Sequence, residues 1–175
     1  GYFDSYKCYQ YSSTEQYFYP VSTSPLKTCS GQWSGNFLNY LTTARLDAIR
    51  KVLYGGYRAI DSSNFTALQR TYIPQDGHSW GKEYNNATSN GYSISLYTPF
   101  ASPSQASNYH LFANTTLRNG TGAPLLRVAL DKPYRIWEWV SIERPVAGAR
   151  ILNGGSGPLL SGIQDFRVRV QVCNA

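Results

Sequence analysis

The chain has 175 residues, of which 15% are charged and 15% aromatic, with 15 Tyr and 4 Trp. This length suffices for one domain with its own core, and the composition is typical of a β-rich extracellular domain. The net charge of +6 is scattered without a run of four basic residues, and no apolar stretch approaches the roughly 18 residues that cross a bilayer, so we predict neither a nucleic-acid partner nor a transmembrane segment.

Residues 1–32 are rich in Tyr and Ser without a helical period, which predicts a compact loop with short strands. We expect a disulfide between Cys8 and Cys29 to tie this loop, because no cysteine stands at a metal-binding spacing. The pairing implies an oxidising compartment and leaves Cys173, whose partner we expect outside this chain. The start at Gly1 and the absence of Met favour an excised or processed part of a larger protein, with one domain over residues 1–175.

One main helix is predicted over about residues 35–54. Ser34 is a suitable N-cap, and the Gly55-Gly56 pair is a stop signal. Placed at about 100° per residue, seven apolar side chains fall on one face of this helix. They are Phe37, Leu38, Leu41, Ala48, Ile49, Val52 and Leu53.

Arg45 stands out because its helical phase places it between Leu38 and Val52, inside the apolar stripe. A guanidinium keeps its proton, so we predict a buried anchor held by carboxylate or carbonyl partners. An edge position from which the side chain reaches water, or direct contact with a ligand, are the alternatives.

After the helix we predict a short helix near residues 65–71 and an exposed loop that includes Trp80. Strand-like runs then follow, separated by Pro, Gly, Ser or Asn. They cover residues 92–97, 109–115, 125–130, 134–142 and 166–173. The last run alternates apolar with polar residues, which predicts one buried and one solvated face. The expected fold is α+β or α/β, with the helix packed on a sheet and long loop and strand insertions.

The predicted strand over residues 134–142 places Arg135, Trp137 and Trp139 on one face. Two neighbouring tryptophans on an exposed strand can stack on a sugar ring or on the side chains of a partner. The predicted contact residues are therefore Trp80, Arg135, Trp137 and Trp139. The alternative is that both strand tryptophans anchor the core.

Catalytic chemistry finds little support in the sequence. His78 and His110 are the only histidines, and neither has a cysteine or a second histidine at ligand spacing. The sequence lacks nucleophile-elbow, zincin, P-loop and EF-hand motifs, and its ten carboxylates include no evident catalytic pair. We therefore predict no enzyme activity, no catalytic residue, and no metal or cofactor bound by this chain.

Several strings carry a family resemblance, in this order along the chain: WSGNFLNY, RKVLYGG, LFANTTL, GAPLLRVAL and FRVRVQVC. With them the chain resembles the N-terminal region of type IV pilus biogenesis and tip adhesin proteins of the PilC/PilY kind. The resemblance implies a von Willebrand factor A-like fragment, whose first helix would be the one over residues 35–54. The Asp-x-Ser-x-Ser metal loop and the calcium-binding β-propeller of the family are absent from this sequence, so no metal site is transferred.

The resemblance implies a non-enzymatic adhesin or pilus-assembly module. We expect it at the cell surface or outside the cell, at the pilus tip or outer membrane, after transit through the periplasm. Its expected partners are minor pilins or other pilus-tip components and a host or abiotic surface. A secreted carbohydrate-binding module with an aromatic platform and a self-assembling structural subunit are the alternatives.

Overall fold

A computed structural model gives the structure of the chain and describes residues 2–117, 122–140 and 161–174. The chain divides into two compact units. The first comprises residues 1–71, 94–101 and 166–175, and the second comprises residues 72–93 and 102–165. One domain over residues 1–175 remains a prediction.

Short strands and helices are mixed along the described chain, which is therefore of the α+β class. The strands are β1 (Lys7–Ser12), β2 (Tyr17–Thr23), β3 (Trp33–Ser34), β4 (Arg58–Asp61), β5 (Phe65–Gln69), β6 (Trp80–Tyr84), β7 (Tyr109–Thr115), β8 (Leu125–Lys132), β9 (Ile163–Arg167) and β10 (Arg169–Asn174). The helices are α1 (Gly35–Thr42), α2 (Arg45–Tyr54), α3 (Ala87–Asn90) and α4 (Ile136–Trp139), and a 3₁₀ turn covers Ile94–Leu96. Within the described ranges, no helix has the length and apolar character to span a membrane.

The first unit is built on a six-stranded sheet in the order β3-β1-β2-β10-β5-β4. The opening segment supplies a hairpin, in which β1 and β2 pair antiparallel from Ser12 opposite Tyr17. The predicted disulfide is confirmed, since Cys8 on β1 is bonded to Cys29 with the two Cα atoms 5.6 Å apart. Both cysteines are buried, so the disulfide ties the segment before β3 to the sheet.

Aromatic side chains fill the core of this unit around Phe18, which is completely buried. The ring centroids of Tyr11 and Phe3 lie 4.9 and 5.4 Å from that of Phe18, and those of Trp33 and Phe166 both lie 6.0 Å away. Such aromatic pairs contribute about 0.5–1.5 kcal/mol each beyond the burial of their area. The tyrosine-rich opening is therefore part of the sequence that builds the core.

The helix predicted over residues 35–54 is in fact two helices, because the backbone is extended at Thr43 and Ala44. The Thr42 hydroxyl donates to the carbonyl of Leu38 one turn earlier, at 2.7 Å. Threonine has a low helix propensity and its hydroxyl competes for backbone groups, so two in succession favour the end of a helix. The break separates the two halves of the predicted apolar face.

Arg45 is exposed, so the prediction that it is a buried anchor is wrong. The break resets the helical phase, and α2 therefore turns a different face inward than a continuous helix would. Ile49, Val52 and Leu53, which were expected to pack on the sheet, are exposed. Within α2 the buried residue is Asp47.

The second unit contains a four-stranded sheet in the order β6-β7-β8-β9, and β9 continues into the first unit at Phe166. The strands predicted over residues 109–115 and 125–130 are confirmed as β7 and most of β8. Trp80, predicted in a loop, begins β6. A core cluster joins the sheet to α4 and the residue after it: Leu111, Ala113, Ala129, Trp139 and Val140.

Three other element predictions are wrong. Residues 65–71, predicted as a helix, contain β5, which is held between β4 and β10. Residues 92–97 contain the 3₁₀ turn rather than a strand. Residues 134–142 contain α4, and positions 141 and 142 lie outside the described residues. These windows are too short for periodicity to separate a helix from a strand, so long-range pairing decides between them.

The strand predicted over residues 166–173 is divided at Val168 between β9 and β10. Val168 and Val170 are buried, as the alternation predicts, but Val172 is exposed. The pairing with β5 contains a register shift between Gln171 and Cys173. An extra residue in one strand moves the following side chains to the other face, which accounts for the exposure of Val172.

Candidate binding surfaces

The two tryptophans predicted to share a face are separated by burial. Trp137 is 63% exposed, whereas Trp139 is 0% exposed in the core of the second unit. Both belong to α4, and residues two apart lie about 200° apart around a helix but on one face of a strand. The prediction of Trp139 as a contact residue is therefore wrong, and the alternative of a core anchor is confirmed for this tryptophan.

Arg135 and Trp80 are less exposed than Trp137. The Nε of Arg135 donates to Oε1 of Glu83 at 2.8 Å, and its guanidinium lies 5.0 Å from the ring centroid of Tyr109. The hydrogen bond to Glu83 raises the pKa of Arg135, which is therefore a fixed cation. Trp80 is partly buried. The contact roles of these three residues remain predictions, and Trp137 offers the largest exposed apolar side chain among them.

Two buried side chains of opposite charge, Asp47 and Arg70, interact electrostatically in the first unit. Asp47 is 2% exposed, and its Oδ1 accepts the backbone N–H of Thr71 at 2.7 Å while its Oδ2 accepts that of Ala44 at 3.0 Å. Arg70 is also 2% exposed. Burial lowers the pKa of Arg70 to about 9, and the Asp47 charge opposes that lowering, so Arg70 is cationic at neutral pH.

Asp47 therefore performs the anchoring that the sequence assigned to Arg45. The sequence contains one local signal for this role of Asp47. It lies three positions after Ala44, and an acidic side chain at that position commonly accepts the backbone N–H of the N-cap residue. The burial of Arg70, on the chain after β5, has no local signal because its partner comes from a distant element.

Tyr9 is 2% exposed and gives the fold an alkaline pH dependence. Burial raises the pKa of Tyr9 to about 12, the Asp4 N–H that donates to its Oη at 2.9 Å lowers it, and the Asp4 charge raises it. The pKa of a tyrosine in the unfolded chain is about 10. Between pH 10 and about pH 12 the folded chain therefore keeps the Tyr9 proton that the unfolded chain has lost. The resulting stabilisation is complete below pH 10, amounts to about 2–3 kcal/mol, and is lost as the pH rises through about 12.

We expect the Tyr9→Phe variant to lose this part of the pH dependence. The free energy of unfolding, measured in urea between about pH 9 and pH 11, should fall less steeply for Tyr9→Phe than for the wild type. Tyr40→Phe is the matched control, because Tyr40 is an exposed tyrosine of the same unit. Identical slopes for the wild type and Tyr9→Phe would contradict the assignment.

The outer side of α2 carries a cluster of exposed apolar side chains, the α2 patch: Leu46, Ile49, Val52 and Leu53. Val52 is 85% exposed and Leu53 is 73% exposed. The exposed cations Arg45 and Lys51 stand on the same helix. A contiguous apolar patch with a polar rim marks an interaction surface more often than a single exposed leucine does.

An open groove of about 460 Å³ lies on the first unit. Its lining, the tyrosine groove, consists of Tyr11, Ser12, Ser13, Thr14, Tyr17, Tyr19, Phe65 and Gln171. Tyr17 and Tyr19 flank the buried Phe18 on β2, so they belong to the face of the sheet opposite the core. Gln171 follows the buried Val170, which pairs with Phe18, and shares that outer face. The alternation Tyr17-Phe18-Tyr19 would have predicted two tyrosines on the outer face, but only if residues 17–19 had been assigned to a strand.

Both histidines make polar contacts. The Nδ1 of His78 lies 2.7 Å from Oδ1 of Asp76 in an exposed turn, and Nδ1 of the buried His110 accepts the Asp131 N–H at 3.0 Å. Across residues 2–117, 122–140 and 161–174, no three His, Cys, Asp or Glu side chains gather in a way that could hold a metal ion. The absence of catalysis, metal and cofactor remains a prediction.

The described residues thus define a small α+β module whose prominent features are exposed surfaces: the α2 patch, the tyrosine groove and Trp137. A family model described as "PilY1 homolog, small alpha/beta domain" matches residues 1–129. The chain belongs to this family, and the resemblance to the PilC/PilY proteins is confirmed.

Two relatives share the name "Type IV pilus biogenesis factor PilY1 homolog", both from Xylella fastidiosa (strain Temecula1). One is 48% identical over an alignment of 185 positions, which covers 99% of this chain and 12% of the relative. The other is 45% identical over 83 residues, which cover 42% of this chain and 7% of the relative. The chain thus spans about an eighth of the length of the first of these relatives. No solved structure matches it.

Proposed function

We propose that this chain is a non-catalytic binding module of a type IV pilus biogenesis factor, exported from the cytoplasm and acting at the cell surface or the pilus tip. The family and the printed names of its relatives support the pilus role. The buried disulfide supports an oxidising compartment. The observation that carries the binding mode is the exposure of the α2 patch.

The α2 patch fits a protein partner. Its helix is fixed to the first unit through Asp47, so the apolar side chains are presented on a preorganised surface. A rigid helix face is a common element of recognition by a groove on another protein, and preorganisation lowers the entropic cost of binding. Because Arg45 and Lys51 add positive charge to this helix, the complementary partner surface is an apolar groove with an acidic rim. Minor pilins or other pilus-tip components are the proposed partners.

The test is the binding of purified minor pilins of the same pilus system to the immobilised chain. Leu53→Glu is expected to weaken binding by about tenfold or more, because it places a desolvated charge at the centre of the interface. Leu26→Glu is the matched control, since Leu26 is an exposed leucine of the same unit outside α2. Binding unchanged by Leu53→Glu would refute the role of the α2 patch in binding a pilin. A dimer of the chain that is detected by light scattering and dissociated by Leu53→Glu would also refute it, because the patch would then bind a second copy of the chain.

The finer points of the pilus role stay predictions. They are the adhesin activity, contact with a host or abiotic surface, and a von Willebrand A-like fragment. Among the described strand pairs with an assigned register, β10 with β2 is parallel and the others are antiparallel, which lends the von Willebrand interpretation no support. Cys173 is an exposed free thiol, and its partner outside this chain also remains a prediction.

A further inference from the structure

We propose that the tyrosine groove is a binding site for a neutral oligosaccharide. This inference concerns a surface separate from the α2 patch and does not depend on the pilus role. It also differs from the predicted tryptophan platform, which does not form because Trp139 is buried.

The rings supply amphipathic surfaces at fixed angles. The Tyr17 and Tyr19 centroids are 6.5 Å apart with their planes at 82°, and the ring of Phe65 lies 5.2 Å from that of Tyr17. The Tyr19 hydroxyl donates to Oε1 of Gln10 at 2.8 Å, which fixes that ring. A sugar ring has an apolar C–H face and a polar rim of hydroxyls, so it suits a wall of tyrosine rings with hydroxyl and amide groups nearby.

The charge of the groove selects the ligand class. The described lining residues have aromatic, hydroxyl or amide side chains, and none of them carries a charge at neutral pH. Phosphate, sulfate and nucleic-acid ligands require cations or clusters of N–H donors, which this lining does not supply. Hydroxyls of a neutral sugar can pair with Ser13, Thr14 and Gln171, which both donate and accept hydrogen bonds.

The position of the groove disfavours an extended peptide. Peptides commonly add to a sheet at an edge strand, where unpaired N–H and C=O groups remain. β2 has β1 on one side and β10 on the other, and β10 lies between β2 and β5. The groove therefore extends from the β1–β2 turn, which supplies Ser13 and Thr14, over strands that are interior to the sheet. Its volume of about 460 Å³ falls within the range of about 300–1,000 Å³ that small-ligand pockets occupy.

Titration of the full chain with neutral tetrasaccharides of glucose, xylose, mannose and N-acetylglucosamine tests this proposal, with calorimetry as the readout. We expect saturable binding of at least one of them, a loss of about tenfold or more in Tyr17→Ala, and near-wild-type affinity in Tyr17→Phe, which keeps the ring. Tyr40→Ala, the loss of an exposed tyrosine outside the groove, is the matched control and should bind as the wild type does.

Aromatic NMR spectra of the unmodified chain provide a second measurement that does not depend on a variant folding. The bound sugar should shift ring signals of Tyr17, Tyr19 and Phe65 and leave those of Tyr40 in place. Absence of binding to the whole panel, or shifts confined to other rings, would overturn the proposal. Leu53→Glu should leave sugar binding unchanged, which separates this test from that of the α2 patch.

Discussion

Replacing Asp47 with alanine is expected to lower the free energy of unfolding by about 2–4 kcal/mol, because a buried carboxylate that accepts two backbone N–H groups and interacts with the buried Arg70 is lost. The substitution leaves the buried N–H of Thr71 without its acceptor and Arg70 without the countercharge that opposes its desolvation. It also removes the cap on the Ala44 N–H, so α2 should fray at its start. Urea unfolding followed by circular dichroism measures the change.

The matched control is Arg45→Met on the same helix, two positions earlier. Arg45 is exposed, so its replacement should change stability by about 0.5 kcal/mol or less. The two variants separate the residue that the helical phase favoured from the one that the structure places in the core. A loss in Arg45→Met as large as that in Asp47→Ala would restore the sequence-based prediction and contradict the structure.

A double variant isolates the interaction between the two charges. Asp47→Ala combined with Arg70→Met should cost less than the sum of the two single changes, because neither charge is then left alone in the core. Strict additivity would show that Asp47 acts through its backbone hydrogen bonds alone.

The second large effect is expected from the disulfide. The Cys8→Ala/Cys29→Ala variant should be destabilised by about 3 kcal/mol, the chain-entropy estimate for a loop of this length. The bond links residues 21 apart and joins β1 to the segment before β3, where both sulfurs are buried. Its loss should therefore loosen the edge of the six-stranded sheet. Urea unfolding with and without a thiol reductant provides the measurement.

Reductant should shift the wild-type midpoint towards that of the double variant and leave the double variant unchanged. Cys173→Ala is the control, because Cys173 is an exposed free thiol and its loss should not mimic reduction. A wild-type midpoint that full reduction does not move would show that the bond contributes no stability.

The candidate sites show why part of the site prediction failed. Trp137 and Trp139 were assigned to one face because aromatic and β-branched residues around them favour a strand. A four-residue helix instead inserts Trp139 among Leu111, Ala113 and Ala129, and tertiary packing overrides the local preference. The tyrosine groove was missed for the complementary reason. Six of its eight lining residues lie within residues 11–19, where no strand was assigned, and Phe65 and Gln171 join them only through strand order.

Features that depend on short-range chemistry or on whole-chain similarity were predictable from the sequence alone. These are the family, the mixture of helices and strands, the Cys8–Cys29 bond, and Ser34 as the N-cap whose Oγ accepts the Phe37 N–H. Composition and spacing contain such information directly, since each feature involves a few neighbouring residues or the chain as a whole.

Which faces are buried depends on contacts between segments that are distant in sequence. The break at Thr43 and Ala44 changed the phase of α2, so that Asp47 lies inside while Arg45 and the α2 patch lie outside. A shift of one residue in helical phase or strand register moves every later side chain to another face. No local pattern specifies the position of such a shift when the alternative conformations differ in free energy by only about 1 kcal/mol. Long-range partners such as Thr71 and Arg70 select between these conformations. They stabilise the one in which the buried Asp47 carboxylate accepts a hydrogen bond and interacts with an opposite charge.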